Sequence, residues 1–222
     1  MNEKKKIAVA IINGVGNQAP DFADEMIEKI REAFTEPSIP WALRARGRLP
    51  CSAPYGRSVA SDRNTAGANP ERDLVFETVF WAPVIQRVEN RLWKGLRVAR
   101  RRLDSMWLRH RAIDFAADAI AYQPTPSDRR LYDAVHVVFA RALRRLASRA
   151  GKSAPLCVIA HSLGSVIASN YFYDLQAWPR RRLLAPSVGK VMGDTPLERG
   201  RTFAFFYTMG SPIAIWSLRY RG

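Results

Sequence analysis

The segment Pro155–Ala168, which reads PLCVIAHSLGSVIA, carries the strongest structural signal in this chain. Its first half is a short run of apolar and β-branched residues, which is typical of a strand buried in a parallel sheet. Small residues then flank a serine in the pattern Ala160-x-Ser162-x-Gly164, and an apolar helical pattern begins at Leu163. The segment therefore predicts a strand, a sharp turn at Ser162 and a helix.

A serine at such a turn fits the geometry of a nucleophile elbow. The turn strains the serine backbone, so its neighbours must be small, and Ala160 and Gly164 meet that condition. The helix that follows directs its N-terminal N–H groups at the reacting carbon, which makes the backbone amide of Leu163 a candidate oxyanion donor. The same short pattern also fits an ordinary buried strand followed by a helix with a capping serine.

The beginning of the chain predicts a second buried strand with a glycine-bearing loop. Ile7–Ile12 is continuously apolar, residues 13–18 read NGVGNQ, and residues 21–34 show helical spacing. In hydrolases the loop after an early strand supplies the second half of the oxyanion hole, here the backbone N–H of Val15 or Gly16. A phosphate-binding loop is the alternative. This loop, however, lacks both the third glycine of a dinucleotide site and the Gly-Lys-Ser/Thr of a P-loop.

With the segment FFYTMGSP at residues 205–212, these features resemble the α/β-hydrolase superfamily, above all its serine esterases and lipases. Similar bacterial hydrolases read HGVGNQ in the first loop, where this chain has Asn13 in place of the histidine. The resemblance implies an α/β fold, with a mainly parallel sheet and helices on both faces, in a single domain 1–222. It also implies carboxylic-ester hydrolysis through an acyl-enzyme, with Ser162 as nucleophile and neither a metal nor an organic cofactor.

The acid and the histidine that complete such a site have no evident candidates. The family order is serine, acid, histidine, yet the three histidines are His110, His136 and His161, and none follows Ser162. Asp174 and Asp194 do follow it, but we expect one in the helix after the elbow and the other in a glycine- and proline-bearing loop. We therefore expect this chain to lack the C-terminal strands, which would follow Gly222 and carry the acid and the histidine. The activity of this chain is then expected to be weak or absent.

Further elements are predicted between and after these segments. Leu74–Trp81 and Phe203–Thr208 have the pattern of strands, and Leu131–Arg149 has that of a helix. Residues 37–73 form a long loop rich in Pro, Gly, Ser, Arg and Asn. Residues of about 84–130 are predicted to form a helical cap insertion within the domain.

The insertion contains a basic amphipathic pattern over 84–113, with many arginines and the tryptophans Trp93 and Trp107. Such a helix either packs its apolar stripe over the site as a cap or lies in an anionic membrane interface. The second possibility defines the alternative function, a non-catalytic peripheral membrane-binding protein on a hydrolase scaffold.

Composition narrows the partners and the compartment. The chain has 222 residues, 47% of them hydrophobic, 35 basic against 20 acidic residues, and a formal charge of +15. No zinc spacing, recognition helix or aromatic RNA platform accompanies the basic residues, which argues against a nucleic-acid partner. The expected partner is a small-molecule or lipid ester.

The cysteines, the absence of a long apolar run and the last predicted strand complete the expectations. Two cysteines make no disulfide framework, and no run reaches about 18 apolar residues, so we expect a cytoplasmic protein, peripheral at the membrane if the basic helix binds it. Residues 203–207 read FAFFY and would form an unprotected sheet edge if no strand followed them. We expect self-association through that edge.

Overall fold

The computed structural model describes residues 6–14, 19–35, 73–86, 119–125, 127–181 and 183–217. The elements along the chain are β1 (Ile7–Ile12), α1 (Asp24–Thr35), β2 (Leu74–Val79), α2 (Arg130–Ala150), β3 (Leu156–His161), α3 (Leu163–Arg181), α4 (Pro186–Val191), β4 (Phe203–Met209) and α5 (Ile213–Ser217). Short helical segments also occur at 82–86 and 119–122. Strands alternate with helices, which is the order of an α/β fold.

The four strands form one parallel sheet in the order β2-β1-β3-β4. Ile12, near the end of β1, lies opposite both Val79 and Ala160, and Ala160 in turn lies opposite Thr208. The carboxyl ends of the strands therefore reach the same edge of the sheet, where ligands bind in open α/β sheets. The predicted parallel α/β sheet is confirmed.

Helices cover both faces of the sheet, as predicted. Val9 and Ile11 of β1 pack in a cluster with residues of α1, whereas the alternate residues Ala8 and Ala10 belong to the larger core formed with α2 and α3. Successive side chains of a strand point to opposite faces, so a strand between two helical layers must be apolar at every position. This explains the unbroken apolar run of β1.

Element boundaries differ slightly from the predicted ones. β1 has the predicted bounds, but β2 ends at Val79, two residues before the predicted end at Trp81. Trp81 leaves the strand, is 1% exposed, and its indole Nε1 donates to the carbonyl oxygen of Asn13 at 3.1 Å. β3 and β4 each run one residue further than predicted, to His161 and Met209.

Two further predictions concern the middle of the chain. Of the loop 37–73 only residue 73 belongs to the described part, and of the helix 84–113 only residues 84–86. Of the cap insertion predicted over about 84–130, residues 84–86, 119–125 and 127–130 are described, and the rest lies outside the described residues. Within those residues, no helix combines the length and the apolar character needed to cross a bilayer.

β4 lies at the edge of the described sheet, and its two faces differ in exposure. Phe203 and Phe206 pack against the core on the side of α3, and Phe203 stacks on Phe172. The pairing of β4 with β3 is irregular between Phe203 and Phe205, so these two residues lie on opposite faces of the sheet. On the face opposite to Phe203, Phe205 is 60% and Tyr207 56% exposed.

Candidate active site

Ser162 has a strained backbone at the junction of β3 and α3. Its φ is +51°, and it is the only non-glycine residue with positive φ among those the structure describes. The left-handed region costs an L-residue roughly 1–2 kcal/mol, so this conformation persists only where the surroundings impose it. A strand, one left-handed serine and a helix are the local geometry that a nucleophile elbow requires.

Glycines on both sides allow the close packing around the turn. A Cβ on Gly14, in the loop after β1, would lie 2.5 Å from Cβ and 3.0 Å from Oγ of Ser162. A Cβ on Gly164 would overlap the carbonyl oxygen of Asn13. The loop after β1 is therefore in contact with the elbow, and no larger residue fits at these two positions without displacing backbone.

Hydrogen bonds connect the elbow to the loop that follows β4. The N–H of Ser162 donates to the carbonyl oxygen of Met209 at 2.8 Å. The buried hydroxyl of Ser165 lies 2.6 Å from the carbonyl oxygen of Ser162, to which it donates, and 2.7 Å from Oγ of Ser211. Sequence reasoning missed both Ser165 and Ser211. The available signal for Ser165 was its position on the buried side of an apolar helix.

One half of the predicted oxyanion hole belongs to the described part of the chain. Leu163 opens α3, where the first backbone N–H groups have no acceptor within the helix. Its amide therefore remains available beside the serine hydroxyl, at the positive end of the helix dipole. Val15 and Gly16, the candidates for the other half, lie outside the described residues.

Asn13 occupies a buried position next to the elbow. It is 6% exposed, and neither polar atom of its side-chain amide has a hydrogen-bond partner among the residues that the structure describes. Its main-chain oxygen, by contrast, accepts the bond from Trp81.

The histidine next to the serine is directed away from it. The side chain of Ser162 packs against Gly14, beyond β1. The His161 ring instead lies by Gly210, beyond β4, where a glycine Cβ would be 3.6 Å from its Nε2. Since β1 and β4 flank β3 on opposite sides, the two side chains diverge and His161 is not placed to accept the serine proton.

His136 and Asp174 form a separate buried network between α2 and α3. The His136 Nε2 lies 3.0 Å from the Tyr122 hydroxyl, and its Nδ1 lies 3.7 Å from Oδ2 of Asp174. The Tyr132 hydroxyl donates to the same Oδ2 at 2.9 Å. Asp174 lies twelve residues after Ser162, which is about 18 Å of helix. The Asp174 carboxylate and the His136 imidazole beside it are therefore too far from the serine to accept its proton.

Burial determines the charge states in this network. Burial, together with the nearby charge of Arg129, lowers the pKa of His136 to about 3. Burial also raises the pKa of Asp174 to about 6, although the hydrogen bond from Tyr132 and the charge of Arg129 oppose the rise. The imidazole is therefore neutral and already bonded, which is the state of a packing residue.

The remaining candidates also lie away from the elbow. Asp194 is on an exposed loop and pairs with Arg199 at 3.0 Å, while His110 falls outside the described residues. Among the residues that the structure describes, then, no acid or imidazole is brought to the Ser162 hydroxyl. The same residues contain no group of three or more side chains suited to hold a metal ion.

Comparisons of the chain with protein-family models, with curated proteins and with solved structures find no match. The strained geometry at Ser162 is therefore the main indication of function.

Proposed function

We propose that this protein is a serine hydrolase of the α/β-hydrolase type that acts on carboxylic esters through an acyl-enzyme, with Ser162 as nucleophile. The observation that carries the proposal is the left-handed backbone of Ser162 at the end of a central parallel strand. A structural capping serine has no need of that strain, because a residue that caps a helix takes an extended backbone instead. Strain at one polar residue beside a glycine loop is a mark of a functional position.

The proposed chemistry is acyl transfer in two steps. Ser162 Oγ attacks the ester carbonyl carbon while a base takes the hydroxyl proton, and the negative charge develops on the carbonyl oxygen. The amide of Leu163 stabilises that charge, with Val15 or Gly16 as the second proposed donor. The C–O bond to the alcohol then breaks, the alcohol leaves with a proton, and water hydrolyses the remaining acyl-enzyme.

A serine hydroxyl without a base is a poor nucleophile. In subtilisin, the loss of the histidine alone costs about a million-fold in turnover. Because the described residues bring no base to Ser162, we expect the 222-residue chain to hydrolyse activated short-chain esters barely above background, and to react slowly with a fluorophosphonate probe.

Added imidazole tests the role of Ser162 directly, because it supplies a base in solution. The protein is incubated with a fluorophosphonate with and without imidazole, and labelled peptides are identified by mass spectrometry. We expect imidazole to accelerate labelling at Ser162 selectively and to leave Ser148, an exposed helical serine, unchanged. Ser162→Ala should abolish the imidazole-dependent signal.

Two results would change this proposal. If Ser162 reacts no faster than Ser148 under either condition, the elbow is structural and the proposal is wrong. Brisk labelling of Ser162 without imidazole would instead show that a residue of this chain serves as base in an unexpected order.

The alternative, a peripheral membrane-binding protein, depends on the helix predicted at 84–113, of which 84–86 are described. It stays a prediction. Co-sedimentation with anionic vesicles that weakens as salt rises would favour it, and Trp93→Ala and Trp107→Ala should then reduce the salt-independent part of binding.

A further inference from the structure

A basic groove lies between α2 and α4 and shares no residue with the elbow. It has a volume of about 330 Å³ and is lined by Arg141, Arg144, Arg145, Ser148 and Val191. The four α2 residues occupy positions i, i+3, i+4 and i+7, so they lie on one side of that helix. We refer to these five residues as the arginine groove.

Two of the three guanidinium groups are held by the protein itself. Arg144 Nη1 donates to the carbonyl oxygen of Val191 at 3.2 Å. Arg145 Nε donates to the carboxylate of Glu77 on β2. Each bond occupies one of the five N–H donors of a guanidinium and restricts the side chain, so the remaining donors are already oriented when a ligand arrives.

Positive charge in and around the groove exceeds the negative charge that the described residues supply. Glu77 is shared, since Arg149 Nη1 also donates to it at 3.0 Å. One carboxylate therefore compensates two guanidinium groups. Arg141 and Arg144 form no ion pair with any carboxylate in the described ranges.

We propose that the arginine groove binds a small ligand through its phosphate groups. A guanidinium group can form pairs of parallel hydrogen bonds with phosphate oxygens. Several guanidinium groups together suit a multiply charged phosphate better than a singly charged carboxylate ligand. The volume is at the lower end of the range for ligand pockets, which suits a small phosphorylated molecule or a lipid headgroup. The proposal does not depend on Ser162 or on hydrolysis.

Inorganic pyrophosphate is the probe, and its binding to the full 222-residue chain is measured by isothermal titration calorimetry. We expect saturable binding, weakened about tenfold or more by Arg141→Gln and by Arg144→Gln, because each removes charged hydrogen bonds to the anion. Both residues are exposed, so the variants should fold. Arg201→Gln changes the net charge equally at an exposed residue that does not line the groove, and it should leave the affinity within about twofold.

Vesicles that contain phosphatidic acid distinguish the two sources of phosphate. Co-sedimentation that Arg141→Gln weakens and pyrophosphate competes away would identify a lipid headgroup. Pyrophosphate binding without vesicle binding would identify a soluble ligand. The proposal is wrong if neither probe binds, or if Arg201→Gln weakens pyrophosphate binding as much as Arg141→Gln does, since binding would then follow the net charge alone.

Discussion

At the scale of single residues, the decisive feature is the conformation of Ser162. The left-handed backbone there is imposed by bonds and packing on both sides: the Met209 carbonyl holds its N–H, and Gly14 packs against its side chain. A residue held against its own preference stores free energy that a glycine would not. The elbow can therefore be tested by stability measurements that need no substrate.

We predict that Ser162→Gly is more stable than Ser162→Ala by about 1 kcal/mol. Glycine relieves a left-handed strain of roughly 1–2 kcal/mol and returns part of that gain through its greater freedom in the unfolded chain. Both variants lack the hydroxyl, so the loss of its hydrogen-bonding capacity cancels in the comparison. The free energy of unfolding is measured by urea denaturation.

Ser148 provides the control, with an effect of opposite sign. It is exposed in α2, where glycine is about 1 kcal/mol less favourable than alanine, so Ser148→Gly should be less stable than Ser148→Ala. If Ser162→Gly were also the less stable of its pair, the strained turn would not exist in solution.

At the scale of elements, α2 and α3 are joined by a buried polar network as well as by apolar packing. His136 and Tyr132 from α2 meet Asp174 from α3, with Tyr122 and Arg129 at the sides. Two groups of this network, His136 and Asp174, have pKa values that are shifted in opposite directions. The folded protein disfavours the proton on His136, whose pKa is lowered, and favours it on Asp174, whose pKa is raised.

We predict that Asp174→Asn makes the protein more sensitive to acid. Between pH 4 and 6 the unfolded chain binds a proton at His136 that the folded protein refuses, so stability falls as pH falls. Over the same range Asp174 is protonated in the folded protein but ionised in the unfolded chain, which offsets the loss. Without Asp174 the His136 effect remains alone, with a limiting slope of about 1.4 kcal/mol per pH unit.

Urea denaturation at several pH values checks this prediction. Asp194→Asn is the matched control, because Asp194 is 89% exposed in its side chain and lies outside the network. Asp194→Asn should not steepen the loss of stability in acid. If Asp174→Asn does not steepen it either, Asp174 keeps a nearly ordinary pKa in the folded protein and the prediction is wrong.

At the scale of the whole molecule, an apolar sheet edge is combined with a large positive charge. One face of β4, the edge strand of the described sheet, exposes Phe205, Tyr207 and Met209, and β4 contains neither the charges nor the prolines that protect natural edges. The formal charge of +15 opposes close approach of two copies. Self-association should therefore depend on salt.

We predict that the 222-residue chain associates through β4, more strongly as salt screens the repulsion between copies. Size-exclusion chromatography with light scattering, over a range of salt and protein concentrations, measures the molecular mass. Phe205→Lys should shift the distribution towards the monomer. Ile120→Lys introduces the same charge at a residue that is 73% exposed and should not. A monomer at high concentration and high salt would contradict the prediction.

The sequence was sufficient to predict the parallel sheet and the position of its four strands within two residues. Continuous apolar runs such as β1 can be buried only between two helical layers, so local pattern and global fold agree. The turn at Ser162 was predicted for a similar reason, because small residues around a serine between a strand and a helix allow few backbone paths. What is local in the chain could thus be read from it.

Tertiary structure alone decided which side chains meet. Nothing in the sequence indicated that the Ser165 hydroxyl would bond to Ser211, 46 residues away, or that Asp174 would join a buried network with Tyr132. It also could not show that Arg144 would donate to the Val191 carbonyl oxygen or that Arg145 would donate to the Glu77 carboxylate. Such contacts depend on the crossing of helices and on strand register, which arise from the packing of the whole core and not from the pattern within any one segment.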